Sequence, residues 1–415
     1  MTSWQMTVVA AFTRLAYQRK FTTEEAGLRT LARPKGPSKP PSAILRAYAV
    51  STTRDHGFDL HRLRPPGPDT GVTVIYLHGG AYTSEIVSQH WSLIAHIADR
   101  TGHQVLVPIY GLAPTHTGLE ALAFVTAVIA AETAQGRRCY LAGDSAGGGL
   151  ALLAAQAAAG NPTPPTNATA ETGVAFDPAT VALGVPPDPA TVAPGGTDGA
   201  LDPSADAPGG TGGASGLSAV APGGTGGALD RSADAPGGTG GASDLSAVAT
   251  AGTADPPDPA VVATAGTGVF GGAPGGTGVL GGVVGVTAIA PWLDLSISNP
   301  EVDKVEPHDP WLRRPGLRPL AAAWAGEIPL QDPRLSPLFG DLTRLPPLQI
   351  LVGTRDITLP DCRLLRDRLP PTVPLTYHEE PGAVHVYPLL PVPEARPGRQ
   401  AIIDHIVATT AHPPQ

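Results

Sequence analysis

Outside one long repeat region, short runs rich in Val, Ile and Leu alternate with helix-patterned segments along almost the whole chain. The apolar runs fall at 72–77, 104–109, 138–142, 283–290, 348–352 and 375–379, and helical patterns at 91–99, 118–134, 146–159, 360–369 and 400–409. Runs that are apolar on both faces belong to strands covered on both sides, and helices between them supply the crossovers that parallel pairing requires. The expectation is therefore an α/β fold: a mostly parallel sheet with helices on both faces. The segment 309–339 breaks the alternation. Residues 311–324 within it are helical and flanked by prolines, a candidate for a cap over the sheet.

The repeat region, 161–281, has a different chemistry. Ala-Pro-Gly-Gly-Thr units begin at Ala193, Ala207, Ala221 and Ala235, and again at Ala273. Residues 200–220 recur as 228–248 with two changes, Pro203 to Arg231 and Gly216 to Asp244. The region contains two aromatics, Phe176 and Phe270, and no Lys. A solenoid would need a regular ladder of large apolar residues, which these units lack. Pro, Gly and Asp this dense cannot bury enough apolar surface to offset chain entropy, so disorder is expected. The segment is either a neutral repeat expansion or an acidic, flexible arm for interaction or solubility. It enters at a connection where insertions are tolerated.

Removing it leaves about 295 residues, the size of one large α/β domain. The expected organisation is a helical cap region at 1–50, the main domain at 51–160 and 282–415, and the insert between. Charge partitions the same way. The insert holds ten Asp, Glu171 and Arg231, a balance of −10, against −9 for the whole chain. The remainder is near neutral, which argues against a nucleic-acid partner.

At the N-terminus, Trp4, Val8, Ala11, Phe12, Leu15 and Ala16 recur at helical spacing, and a Pro-rich link at 34–41 follows. The simplest expectation is that this face packs onto the main domain. A lid over an apolar pocket and peripheral contact with lipid are the alternatives. Residues 1–20 lack a basic stretch ahead of the short apolar run, so no signal peptide is expected, and no run suits a membrane span. A cytoplasmic protein is the expectation. Cys139 and Cys362 both lie in apolar or amphipathic patterns and are read as small core hydrophobes.

One stretch carries chemistry. In Gly143-Asp144-Ser145-Ala146-Gly147-Gly148 a serine sits between glycines where an apolar run gives way to an alanine-rich helix. That is the pattern of a nucleophile elbow, although a chain with 51 Gly would supply about 0.3 such pentapeptides by chance. Context decides the matter. A serine needs a histidine to take its proton and a carboxylate to hold the histidine, and in parallel-sheet hydrolases the order is Ser, acid, His. Asp356, at the exit of the 348–352 run, fits the acid; Asp361 is its main rival, better explained as a helix cap, and Asp294 a weaker one. His385, in the expected loop that includes 381–384, fits the base; His378 and His405 fall inside a strand and a helix. Gly79 and Gly80 follow the 72–77 run, and their N–H groups with that of Ala146 would form an oxyanion hole. No metal or organic cofactor is expected.

His78-Gly79-Gly80 followed by the elbow resembles the hormone-sensitive-lipase-like, fold-3 esterases of the α/β-hydrolases. The likeness extends through Ile109-Tyr110-Gly111-Leu112-Ala113-Pro114, Pro291-Trp292-Leu293-Asp294-Leu295, Asp332-Pro333-Arg334-Leu335-Ser336-Pro337 and Asp356. It covers residues 1–160 and 283–410. The resemblance implies a Ser–His–Asp carboxylesterase for short or medium acyl esters with an N-terminal helical cap, and a structural role for His78. Ala81 stands where many members carry a third glycine, and Gly111 where Pro or Arg is common. A lactonase, an acyltransferase and a catalytically silent ligand-binding protein are the alternatives on the same fold.

Overall fold

The computed structural model describes residues 2–160 and 282–411. Expectations for the insert at 161–281 lie outside the described residues. Both described stretches belong to one compact unit. Its centre is an eight-stranded sheet: β1 (Ala49–Asp55), β2 (Phe58–Arg64), β3 (Val72–Leu77), β4 (Gln104–Ile109), β5 (Arg138–Asp144), β6 (Val283–Ile289), β7 (Leu348–Arg355) and β8 (Leu375–Val384). The strand order is β1-β2-β4-β3-β5-β6-β7-β8. Strands β4 to β8 with β3 pair in parallel, while β1–β2 and β2–β4 are antiparallel. The mostly parallel α/β architecture is as expected.

The β1–β2 hairpin is an element the strand pattern did not suggest. Strand β1 is largely exposed and polar, so it carries no apolar alternation. Its two-residue turn, His56-Gly57, has both φ values positive, at 49° and 81°, which suits the right-handed strand twist.

Alternation along the buried strands divides the core in two. Ile75, Leu77, Leu106 and Leu141 face one layer, whereas Val74, Tyr76, Val105 and Tyr140 face the other. On the first side lie α5 (Gly118–Ala134) and α6 (Ala146–Ala158); on the second lie α4 (Ser88–Thr101) and α10 (Ala395–Thr410). Each large apolar side chain fully removed from water contributes about 1.5–3 kcal/mol, so these two layers dominate stability. Both cysteines are buried and free. Among the described residues no helix is long and apolar enough to cross a membrane.

Three helices precede the sheet: α1 (Trp4–Ala16), α2 (Glu24–Leu31) and α3 (Ser42–Ala47). Helix α1 starts at Ser3, whose Oγ accepts the Met6 N–H, and Ser3 in turn donates its N–H and O–H to Glu394 at 2.6 and 2.8 Å. Helix α2 packs against α8 (Arg314–Ala325), and the approach is close enough that a Cβ on Gly27 would strike the Gly316 carbonyl. The α1 face that packs inward is Met6, Ala10 and Thr13. Trp4, Val8, Phe12 and Leu15 are exposed, which corrects the expectation that they pack onto the main domain.

Boundaries shift in the last third. Short helix α7 (Val302–Val305) precedes α8, and α9 (Leu359–Arg368) follows β7. Residues 381–384, expected as a loop, belong to β8. Gly382, at φ 71°, makes the local irregularity there, and its N–H donates to Thr354 Oγ1 at 2.7 Å.

Candidate active site

Parallel strands bring their carboxyl ends to one edge of the sheet, and the loops that leave them gather there. Gly79 and Gly80 leave β3, Ser145 leaves β5, Asp356 leaves β7 and His385 leaves β8. Residues scattered over more than 300 positions therefore meet.

Ser145 has φ 53° and ψ −120°, a strained conformation for a non-glycine residue. It is held by its N–H donating to Ile289 O at 2.8 Å and its carbonyl accepting from Trp292 and Gly149 at 2.9 and 3.1 Å. The flanking glycines are needed for space as well. A Cβ on Gly143 would collide with the Gly147 carbonyl, and one on Gly147 with the Leu77 carbonyl. The strain of the turn is thus fixed by backbone contacts on both neighbouring strands.

Ser145 Oγ lies 2.9 Å from His385 Nε2. On the other side of the ring, His385 Nδ1 lies 3.0 and 2.9 Å from the two oxygens of Asp356. An ionised carboxylate only accepts, so Nδ1 carries the proton and Nε2 is left to accept from the serine hydroxyl. Burial of His385 disfavours its cation. The Asp356 charge and hydrogen bond, with Asp309 and Asp144 farther off, outweigh that and raise its pKa above the usual imidazole value. Asp356 Oδ1 also accepts from the Thr358 N–H and hydroxyl at 3.0 and 2.9 Å, which fixes the carboxylate plane.

The rival residues are engaged elsewhere. Asp294 accepts four bonds from Ser296 and Ser298 and braces its own loop. Asp361 accepts from Asn299 Nδ2 at 3.0 Å. It is not a helix cap: Thr358 is the N-cap of α9, and Asp361 lies inside the first turn. His405 Nδ1 bonds the Tyr140 hydroxyl, and His378 lies on β8. His78 stacks on Tyr110 at 4.6 Å and its Nδ1 donates to Gly79 O at 2.8 Å. Burial and the nearby His90 push its pKa down to about 4, so it is neutral near pH 7.

Of the expected oxyanion donors, Gly79 has another partner. Its N–H donates to Asp144 Oδ1 at 3.1 Å, and it is buried. Asp144 also accepts from Tyr76 Oη at 2.7 Å and lies 3.2 Å from His90 Nε2. Burial would raise the pKa of Asp144; His90 and the Tyr76 hydroxyl prevail and hold it below the usual carboxylate value. Gly80 and Ala81, by contrast, line the cavity with Ser145, and both have positive φ, 124° and 52°. Ala146 opens α6, where first-turn N–H groups have no partner within the helix. In the sequence Ala81 is marked only by its departure from a glycine pattern. Its signal is position, one residue past the Gly-Gly pair.

Two further residues close on the site without an obvious sequence signal. Asp309 is fully buried and accepts the N–H of Ile357 at 2.8 Å, and those of Trp311 and Leu312 at 2.6 and 2.9 Å. Trp311 presents its edge to His385, centroids 5.8 Å apart, and touches Tyr17 at 5.5 Å.

A cavity of about 770 Å³ opens from Ser145 and His385. Trp292, Leu293, Ile297, Leu312 and Leu317 give it apolar walls, while Arg19, Lys20, Arg29 and Arg33 line it from the N-terminal segment. That size and mixture suit a small organic ligand.

A family model described as alpha/beta hydrolase fold matches residues 74–197 and 269–389 of the chain. An acetyl-hydrolase of Streptomyces hygroscopicus is 34% identical over 119 residues, 28% of this chain and 38% of that protein. A triacylglycerol lipase of Mycobacterium tuberculosis is 36% identical over 136 residues, 31% of each. The chain spans about a third of the length of the curated relatives it matches. Among solved structures, a hormone-sensitive lipase from a metagenome library superposes with a TM-score of 0.57 at 15% identity, covering 99% of both chains. An esterase/lipase from an uncultured bacterium gives 0.56 at 18% identity, covering 99% of this chain and 100% of that one. At these identities the two structures speak to the fold.

Proposed function

The chain belongs to the α/β-hydrolase fold family, and from that premise we propose that it is a serine carboxylester hydrolase working through an acyl-enzyme. The observation that carries the reading is the unbroken series Ser145 Oγ, His385 Nε2, His385 Nδ1 and Asp356, each link between 2.9 and 3.0 Å. It begins at a strained elbow and ends at a fully buried carboxylate.

In this reading His385 Nε2 takes the Ser145 proton as Oγ attacks the ester carbonyl, and Asp356 stabilises the imidazolium that results. The N–H groups of Gly80, Ala81 and Ala146 receive the charge that develops on the carbonyl oxygen. One such donor is worth roughly 10²–10³ in rate. Gly79 serves the hole indirectly, by tying the loop to Asp144. His385 then returns the proton to the departing alcohol, and water activated by the same nitrogen releases the acid.

The apolar walls favour a small or medium acyl group. A relative named as an acetyl-hydrolase supports the small end of that range. A set of p-nitrophenyl esters from acetate to palmitate places the optimum. Ser145→Ala is expected to lose this hydrolysis while keeping its fold by circular dichroism; hydrolysis retained in that variant would sink the reading. A fluorophosphonate probe separates an esterase from a silent binding protein, because only an activated serine is labelled. Product analysis with added alcohols or lactones separates hydrolysis from acyl transfer and lactone opening.

A further inference from the structure

Helix α1 has two apolar faces, and only one of them is used. Met6, Ala10 and Thr13 turn inward. On the opposite side Trp4 is 71% exposed, Val8 56% and Leu15 70%, with Phe12 at 58% beside them. The positions i, i+4 and i+11 form one stripe along the helix. Four large apolar side chains left in water on a thirteen-residue helix are not ordinary surface.

The stripe sits in a strongly cationic segment. Residues 2–47 contain eight Lys and Arg against Glu24 and Glu25, a balance of +6 in a chain whose total is −9. Arg14 lies on α1 itself. Arg19, Lys20, Arg29 and Arg33 line the cavity from this segment. Arg29 and Arg33 each meet a carboxylate, Glu25 and Glu85, but both keep more than half of their side-chain surface in solvent, at 64% and 61%. Burial and the Arg33 charge lower the Lys20 pKa, as expected where cations crowd. The α1 residues Val9, Phe12 and Thr13 line the same cavity. The apolar stripe, the cations and the cavity wall therefore share one segment.

We propose that the exposed face of α1 docks on an anionic lipid surface, with Trp4, Val8 and Leu15 entering the headgroup region and the surrounding Arg and Lys meeting the lipid phosphates. A helix with Trp and aliphatic residues on one side and cations around it lies in the membrane interface for these two reasons together. Other occupants explain only half of the surface. The acidic insert matches the charge, but its two aromatics and small-residue repeats offer little to an apolar stripe. A second copy of the chain on a two-fold axis would set the same +6 segment against itself. Ser3 and Glu394 pin the start of α1 to α10, so the inner face stays committed while the outer one is presented. Docking in this pose sets the cavity against the membrane; that its cargo is an ester rests on the proposed function.

The test is flotation of the full chain with vesicles of phosphatidylcholine alone and of phosphatidylcholine mixed with phosphatidylglycerol. The expected result is binding to the mixed vesicles that weakens as salt rises, with little binding to the neutral ones. Trp4→Gln, Val8→Gln and Leu15→Gln combined should weaken binding by about tenfold or more, and Arg14→Glu should weaken it further. None of these four residues lines the cavity, so hydrolysis of water-soluble p-nitrophenyl acetate should be unchanged. Absence of binding, equal binding to both vesicles, or an unaffected triple variant would each overturn the docking proposal. Loss of p-nitrophenyl acetate hydrolysis in the unmodified chain would instead overturn the esterase reading and leave the vesicle result standing.

Discussion

Asp309 Oδ2 accepts the backbone N–H of Ile357 at 2.8 Å, and so grips the residue that follows Asp356. Two buried carboxylates are thereby held beside one histidine. Burial, and then the Asp356 charge, push the Asp309 pKa up to about 6, and Asp309 in turn helps to raise that of His385.

The first prediction concerns Asp309→Asn. In the proposed mechanism His385 must be neutral to accept the serine proton, so activity should be lost as pH falls through its pKa. Removing a neighbouring negative charge lowers that pKa. The acid limb of the kcat/KM profile should therefore move to lower pH in the variant. The amide also meets three N–H donors with one fewer accepting oxygen, which should cost about 1–3 kcal/mol of stability. A fall in melting temperature with an unmoved acid limb would show that Asp309 only braces the loop.

A second prediction tests the proposed oxyanion loop from behind. Asp144 links Gly79 to Tyr76 and His90 and borders the same cavity as Gly80 and Ala81. Asp144→Ala should free the loop and misplace its donors. The expected loss is roughly 10²-fold in kcat with KM changed far less, since donors to a developing oxyanion act mainly in the transition state. A rise in KM at constant kcat would assign Asp144 to substrate binding instead.

How far the fold is legible in the sequence depends on where each element's identity resides. Strands β3 to β7 are buried on both faces, so their Val, Ile and Leu runs announce them. Strand β1, with Ser51, Thr52, Thr53 and Arg54 in solvent, owes its existence to pairing with β2. No periodicity marks such a strand. The elbow was legible because sterics force its glycines; Asp356 and His385 were legible because strand ends must precede them. Asp309 was not, since its role comes from three backbone N–H groups brought together only by folding. Helix α1 misled for a related reason. Its pattern shows that apolar stripes exist, but not which of two is covered.

The last prediction follows from Asp361. It is 3% exposed, with one hydrogen bond from Asn299, and burial pushes its pKa up to about 7. The unfolded chain ionises this group near the usual Asp value of about 4. Between those limits the folded state holds a proton that the unfolded state has released. Stability from this site is therefore fully present at low pH and is lost as pH rises through about 7. Asp361→Asn keeps the shape and an oxygen for Asn299 while removing the charge. The melting temperature of the variant, measured against the parent from pH 4 to pH 9, should gain as pH rises to about 7 and then level off, with a total swing on the order of a few kcal/mol. A difference that stays flat with pH would mean that Asp361 is ionised throughout and that water reaching the cavity solvates it.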